Sequence, residues 1–500
     1  MINKKWIMTG GLALAAIVAL RVQATEPPSV RNVVFILADD LGIRDLGCYG
    51  SDYYETPNLD QLAAEGMRFT EAYSAHPVCS PTRASLLTGR YPARLHLTAF
   101  IPGEEYPKAK LRPPDWIKYL RNSEVTYAEA FRDTGVATFH VGKWHVDSEY
   151  SGDKSPQRQG FETVHAGGSP WQENLKDPHH LKEYTEAIET FMEERAADRF
   201  FAVLSMDQVH VPLYEQEELI EKYRKKAPGA NGQNNPVYAA MIERMDWSVG
   251  RVLAKLKELG LEENMAVVFF SDNGGLSNVY DEKTKKSIIA TSNLPYRGGK
   301  SQIYEGGIRV PFMIRWPGVT KPGSTCNVPV ISTDLYPTFL SLAGLPLRSE
   351  QHLDGLSLAP LLRGGTHLNR NCLYWHYPQY QTLPPHGAVR SGDWKLIEHY
   401  EDGALELYNL ADDPGEKTNR VAIYPERAGQ LSQQLHKHLE TLGAQMPTPN
   451  PDYNPSVFWR TDSTHGKRDP YEAKQDQDPR RYVTDPNLDY GATWTLGTQR

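Results

Sequence analysis

Cysteine is scarce. Four residues in a chain of 500 (Cys48, Cys79, Cys326 and Cys372) are too few for a disulfide framework. If all four paired there would be three connectivities. If one is reserved for chemistry, at most one bridge can form, and the sequence does not choose it. An excess of positive charge is also missing: 54 Lys and Arg stand against 62 Asp and Glu, a formal net charge of −8. That balance argues against a nucleic-acid binder relying on bulk charge, but leaves room for a local basic pocket that takes an anion. Glycine and proline, 39 and 36 residues, are too few and too scattered for a collagen-like or low-complexity chain. Internal repeats are absent, and no apolar run beyond the N-terminal segment is long enough to cross a bilayer.

The N-terminal segment has a different texture. Lys4 and Lys5 precede an apolar run from Gly10 to Leu20, and Val22-Gln-Ala24 offers small residues for cleavage. This pattern predicts a secretory signal over residues 1–24. The run falls short of the ~20 residues needed to span a membrane, Arg21 interrupts it, and no cysteine is available for a lipid anchor. Its removal leaves a net charge of about −11. The expected mature protein is exported, periplasmic or secreted, with no membrane anchor.

Hydrophobic residues at 40% supply ample core. The length suits two to four domains, or one large α/β domain with an annex. Asn32–Ala38 is a continuous β-branched apolar run, as expected of a strand buried on both faces of a parallel sheet. The pattern recurs at 200–206 and 266–271, and more weakly at 137–141 and 310–315. Helical signals lie between: Thr56-Pro57 opens a helix that stops at Gly66, and others fall near 127–134, 184–197, 237–259 and 333–343. This alternation predicts an α/β fold with a doubly wound, mostly parallel central sheet. After about residue 365 the strands shorten (372–377, 387–390, 394–398 and 405–409) and are parted by turns such as Ser391-Gly-Asp393. With a helix near 425–441 they predict a small antiparallel sheet. The expected division is a catalytic unit over 25–365, a C-terminal unit over 366–445, and a polar, extended arm over 446–500.

Candidate chemistry gathers after the predicted strands, where open α/β sheets bind ligands. Asp39-Asp40 follows the first strand. Paired carboxylates repel unless a cation neutralises them, so a hard divalent metal is one reading and a helix cap or solvated loop the other. Asp272 and Asn273, in Ser271-Asp-Asn-Gly-Gly275, offer further oxygen ligands on a glycine turn. Cys79-Ser-Pro-Thr-Arg83 places a reactive group at a predicted helix N-terminus, with Arg83 on the same face four residues on. A buried structural cysteine is the plain alternative. Lys143 and His145 in Gly142-Lys-Trp-His145, His210 in Gln208-Val-His-Val-Pro212, and Lys300 in Arg297-Gly-Gly-Lys300 complete the set. Each of these alone is unremarkable, since most loop His and Lys residues are surface or hydrogen-bonding groups.

Together these motifs resemble the type I, formylglycine-dependent sulfatases of the alkaline phosphatase superfamily, over roughly residues 30–445. Cys79-Ser-Pro-Thr-Arg83 with Leu87-Thr-Gly-Arg90 is the decisive match; Thr82 stands where the family uses Ser or Ala. Gly142–His145, Ser271–Gly275, Gly298–Lys300, Tyr304-Glu-Gly-Gly-Ile-Arg-Val-Pro311, Arg390–Lys395, Glu406–Leu410 and Asp413–Glu416 follow in family order. The resemblance implies that a maturation enzyme oxidises Cys79 to formylglycine (3-oxoalanine). It implies one Ca²⁺ held by Asp39, Asp40, Asp272, Asn273 and the residue at 79. A hydroxyl of the hydrated aldehyde would attack sulfur, giving a covalent sulfate ester. Arg83 and Lys143 would offset the charge of the hydrate, and His145 would be the base that expels sulfate. His210 and Lys300 would grip the sulfate and protonate the leaving oxygen. The expected substrate is a sulfated polysaccharide or oligosaccharide of the algal galactan or glycosaminoglycan type. Trp171, His376, His386 and Arg390, with Trp375 and Tyr377, are candidates for a sugar pocket or for simple packing. The alternatives are a phosphonate or phosphate monoester hydrolase of the same superfamily and a non-catalytic carbohydrate-binding protein.

Overall fold

The computed structural model describes residues 30–147, 155–165, 174–277, 279–281 and 286–456. The predicted signal segment, Trp171 and the arm beyond residue 456 lie outside them. Eight strands form the main sheet: β1 Asn32–Ala38, β2 Met67–Phe69, β3 Ala137–Gly142, β4 Thr163–His165, β5 Phe200–Ser205, β6 Met265–Ser271, β7 Phe312–Arg315 and β8 Ser324–Cys326. Their order across the sheet is β8-β2-β7-β6-β1-β5-β3-β4. The central pairs β6-β1, β1-β5 and β5-β3 are parallel, whereas β7 runs antiparallel to both its neighbours. The expected mostly parallel sheet is therefore present. The short strands β2, β4 and β8 have three residues each, too few to register as a periodic pattern.

Every residue of β1 is buried because helices cover both faces. Val33, Phe35 and Leu37 join one core with residues of α2 Cys79–Thr88, α3 Tyr127–Arg132 and α7 Leu335–Leu342. Val34, Ile36 and Ala38 join the other, with α1 Pro57–Glu65, α4 Leu181–Glu194, α5 Glu217–Arg224 and α6 Pro236–Glu258. Double coverage is why β1 reads as a continuous apolar run rather than an alternating one.

The C-terminal sheet is an antiparallel meander of β9 Leu373–Tyr377, β10 His386–Ser391, β11 Trp394–His399 and β12 Leu405–Asn409. Helix α8 Pro425–Leu442 lays Ala428, Leu431, Leu435 and Leu439 on it, a spacing of three and four that makes one apolar stripe. The same core takes in Tyr73, Ala75, Tyr304 and Ile308 from the large unit, so the two units share apolar packing. Where the arm begins, Thr448–Pro449 pairs antiparallel with Leu111–Arg112. None of the four cysteines is disulfide-bonded. Among the described residues, no helix is long and apolar enough to cross a membrane.

Candidate active site

Register decides which loops meet. Ala38 pairs with Ser271, Leu37 with Ser205, and Ser205 with Gly142, so the carboxyl ends of β6, β1, β5 and β3 align along one edge. The residues that follow are Asp272-Asn273, Asp39-Asp40, Asp207–His210 and Lys143–His145. Backbone bonds stitch these tips together: Asp39 N donates to Gln208 O at 2.8 Å, Asp272 N to Ala38 O at 3.1 Å, and Lys143 N to Ser205 O at 2.8 Å. Asp40 and His145 have φ of 60° and 55°. Non-glycine residues in this left-handed region are uncommon and concentrate where a site fixes the backbone.

Helix α2 delivers Cys79 to this edge. All ten of its residues are buried, and Ser80 Oγ accepts the Ile101 N–H at 3.1 Å. Arg83 is almost fully buried. Its Nε donates to Asp272 Oδ2 at 2.8 Å, and Nη1 donates to Ser205 Oγ at 2.7 Å and to Lys143 O at 2.9 Å. Lys143 Nζ bonds Asp39 Oδ2 and lies 3.8 Å from Cys79 Sγ. Lys300 Nζ donates to Asp40 Oδ2 at 2.7 Å, and His210 Nε2 is 3.8 Å from the same oxygen. Asn273 Nδ2 donates to Asp40 Oδ1 at 2.8 Å. One ligand atom each from Asp39, Asp40, Cys79 and His210 lies within 4.8 Å of the others.

Two oxygens in this cluster, Asp39 Oδ1 and Asn273 Oδ1, are buried without a hydrogen-bond partner. Buried carboxylate and amide oxygens rarely go unsatisfied, and a hard cation is the partner that suits them. The donor set fits a divalent metal: carboxylate and amide oxygens from Asp39, Asp40, Asp272 and Asn273.

Electrostatics follow from burial and close charges. Burial by itself would raise Asp39, but Lys143, His210, Arg83 and Lys300 together carry it well below the usual carboxylate range. Burial would lower Lys143 and Lys300, and their carboxylate partners more than reverse it, so both stay charged. The Cys79 thiol is pushed up to about 12 by burial, against the pull of Lys143 and Lys300. Burial, reinforced by Lys143, holds His145 well below the ordinary histidine range. Its Nε2 bonds the Ile101 carbonyl at 2.7 Å and must be the protonated nitrogen, which leaves Nδ1, buried and unpartnered, as the lone-pair nitrogen. Burial, then Lys300 and Lys143, lowers His210 to about 4; its Nδ1 donates to Val211 O at 2.6 Å.

Ten sequence candidates (Asp39, Asp40, Cys79, Arg83, Lys143, His145, His210, Asp272, Asn273 and Lys300) thus share one edge of the sheet. Among the described residues, the carbohydrate candidates do not join them. Trp375 Nε1 donates to Ser74 O at 2.8 Å, His376 bonds Tyr400 Oη at 2.8 Å and Gln445 O at 2.9 Å, and His386 Nδ1 bonds Pro384 O at 2.7 Å. Arg390 bonds Tyr73 Oη and pairs with Glu71, and Tyr377 is buried with its hydroxyl on Gln381. These side chains are buried in the small sheet and its junction with the large unit rather than lining a sugar pocket. Sequence reading missed Ser205 and the Ile101 carbonyl. A polar residue ending the apolar run of β5, as Ser271 ends β6, is the signal that marks Ser205. A backbone carbonyl leaves no signal.

The family model described as Sulfatase matches residues 31–345, and the one described as N-sulphoglucosamine sulphohydrolase, C-terminal, matches residues 299–445. A sulfatase of Formosa agariphila is 30% identical over 84% of this chain and 90% of its own length. The N-acetylgalactosamine-6-sulfatase of Mus musculus is 33% identical over 83% of this chain and 81% of its own. The crystal structure of Ps i-CgsB superposes with a TM-score of 0.68 at 25% identity, over 87% of this chain and 98% of that one, and has also been solved in complex with k-i-k-neocarrahexaose.

Proposed function

The chain belongs to the sulfatase family of sulfuric ester hydrolases, and from that premise we propose that it desulfates a sulfated polysaccharide or oligosaccharide through a formylglycine formed at Cys79. One observation carries the reading: Cys79 interacts with three cations, Arg83, Lys143 and Lys300, at the strand edge where the carboxylates of Asp39, Asp40 and Asp272 and two buried oxygens with no partner also gather. Position 79 as cysteine is a poor nucleophile, because its thiol is held protonated up to about pH 12. Oxidation to formylglycine by a maturation enzyme removes that obstacle, since the hydrated aldehyde supplies a hydroxyl oxygen to attack sulfur. Calcium is the metal we assign to Asp39, Asp40, Asp272, Asn273 and the residue at 79, and when bound it supplies Lewis-acid polarisation of a sulfate oxygen.

The residues of the chain then divide the proton work. Arg83 and Lys143, both charged, offset negative charge at position 79. His145 Nδ1, kept neutral by burial, accepts the proton of the second hydroxyl, which lets sulfate depart and the aldehyde return. Lys300 and His210 Nε2 face Asp40 and hold the transferring sulfate, and His210 is assigned the proton for the leaving oxygen. Carbohydrate is the substrate class because one relative is named for N-acetylgalactosamine 6-sulfate and another binds k-i-k-neocarrahexaose. We read residues 1–24 as an export signal, 25–365 as the catalytic unit, 366–445 as the C-terminal unit and 446–500 as an arm.

Peptide mapping of protein made with a maturation system tests the nucleophile. Conversion of Cys79 appears as a loss of ~18 Da from its peptide. Full activity in a Cys79→Ala variant overturns the assignment. A panel of defined sulfated oligosaccharides, assayed beside aryl sulfate and aryl phosphate, tests the substrate class.

A further inference from the structure

Three C-terminal motifs, Arg390–Lys395, Glu406–Leu410 and Asp413–Glu416, have no part in the chemistry above, yet each sends a charged side chain to the turn that carries Lys300. Lys395 on β11 is fully buried, 2.9 Å from Glu305 Oε1 and 2.9 Å from Glu416 Oε1. Glu416 Oε2 also accepts the backbone N–H of Glu305 at 2.7 Å. Glu406 on β12 pairs with Arg297 Nη1 at 3.1 Å and accepts the Tyr304 hydroxyl at 3.0 Å. Arg297 and Glu305 bracket Lys300, so both flanks of its turn are held from the C-terminal sheet.

Inside the turn there is no slack. Gly306 N donates to Arg297 O at 2.8 Å, Lys300 N to Gly275 O at 3.0 Å, and Gly274 N to Gly307 O at 2.9 Å. A Cβ on Gly274 would sit 2.0 Å from Gly306 O, and one on Gly307 2.0 Å from Gln302 O. A shift of the turn is therefore passed both to Lys300 and to the Asp272-Asn273-Gly274 tip. A buried ion set is a costly way to stabilise a junction, since apolar packing does as well or better. Its directional bonds do fix where the turn sits.

We propose that Lys395 and Glu406, acting through Glu305, Glu416 and Arg297, are positioning residues by which the C-terminal sheet sets the Lys300 turn and the Asn273 metal ligand. This rests on the calcium and sulfate reading given above. The test compares Glu406→Gln and Lys395→Met with wild type. Calcium affinity of the metal-free protein is measured by calorimetry, kcat/KM on an aryl sulfate at saturating calcium, and melting temperature alongside. We expect calcium binding weakened 10–100-fold and kcat/KM lowered by a similar factor, the scale seen when groups supporting metal ligands are removed. Adding Glu416→Gln to Lys395→Met relieves the facing carboxylates, so melting temperature recovers while calcium affinity stays weak. Variants that melt earlier but match wild type in calcium affinity and kcat/KM overturn the proposal. If Lys395→Met does not fold, the nearly isosteric Glu406→Gln decides alone. A wild type that binds no calcium sinks the metal reading instead, and the proposal then stands or falls on kcat/KM.

Discussion

Replacing His210 with alanine separates its assigned roles. In the free site burial and the ammonium groups of Lys300 and Lys143 hold the imidazole at about 4. At pH 7 its protonated form therefore lies about 4 kcal/mol uphill, at about 1.4 kcal/mol per unit. Bound sulfate and the charge growing on a leaving oxygen act in the opposite direction, so a proton at Nε2 matters most when that oxygen is strongly basic. A sugar alkoxide is such a group, whereas a nitrophenolate departs without a proton. His210→Ala is expected to lose ~10²–10⁴-fold in kcat/KM on a sugar sulfate and clearly less on 4-nitrophenyl sulfate. The Lys300–Asp40 pair at 2.7 Å does not depend on the imidazole, so KM for the aryl substrate should change little. Both substrates are assayed with the melting temperature recorded alongside. Equal losses on the two substrates refute the proton-donor role and leave only sulfate binding. A lowered melting temperature with unchanged rates per folded molecule makes His210 a structural loop residue.

Chelation should abolish activity and Ca²⁺ should restore it, because the proposed donors are oxygens rather than imidazoles or thiolates; stoichiometric, indispensable zinc would favour the phosphatase reading. Acidification protonates the base, and because burial and Lys143 hold His145 well below its ordinary value, the acid limb of kcat should fall below pH ~6.5. An acid limb at or above that pH, measured at saturating calcium, removes His145 from the role. Arg83→Met leaves Asp272 buried without its 2.8 Å partner, so unfolding in denaturant should show a loss of ~3–5 kcal/mol. A loss under ~1 kcal/mol would mean that the guanidinium is not holding Asp272 in place.

Much of the fold and of the site was legible in the sequence, and the reason is local. Runs such as Asn32–Ala38 and Met265–Ser271 are apolar along their whole length because both faces are covered, a property each run carries by itself. Asp39-Asp40, Asp272-Asn273 and Cys79–Arg83 each offer metal or anion chemistry beside a plain structural reading, and Gly142–His145 is unremarkable alone; it is their occurrence together, in family order after predicted strands, that singles them out. What the sequence left open depends on contacts between residues far apart in the chain. The register of β3, β5, β1 and β6 brings the four tips together, and side-chain alternation alone cannot supply a register where strands are apolar on both faces. The tautomer of His145 depends on a carbonyl 44 residues away. Trp375, His376, His386 and Arg390 have the composition of a sugar pocket, but their surroundings turn them inward. Lys395 and Glu416 end two motifs to which the sequence assigns no role, and only the docked C-terminal sheet buries both against Glu305. Residue type along the chain determined which chemistry is available, and long-range packing, which alone sets burial and charge pairing, decided which residues perform it.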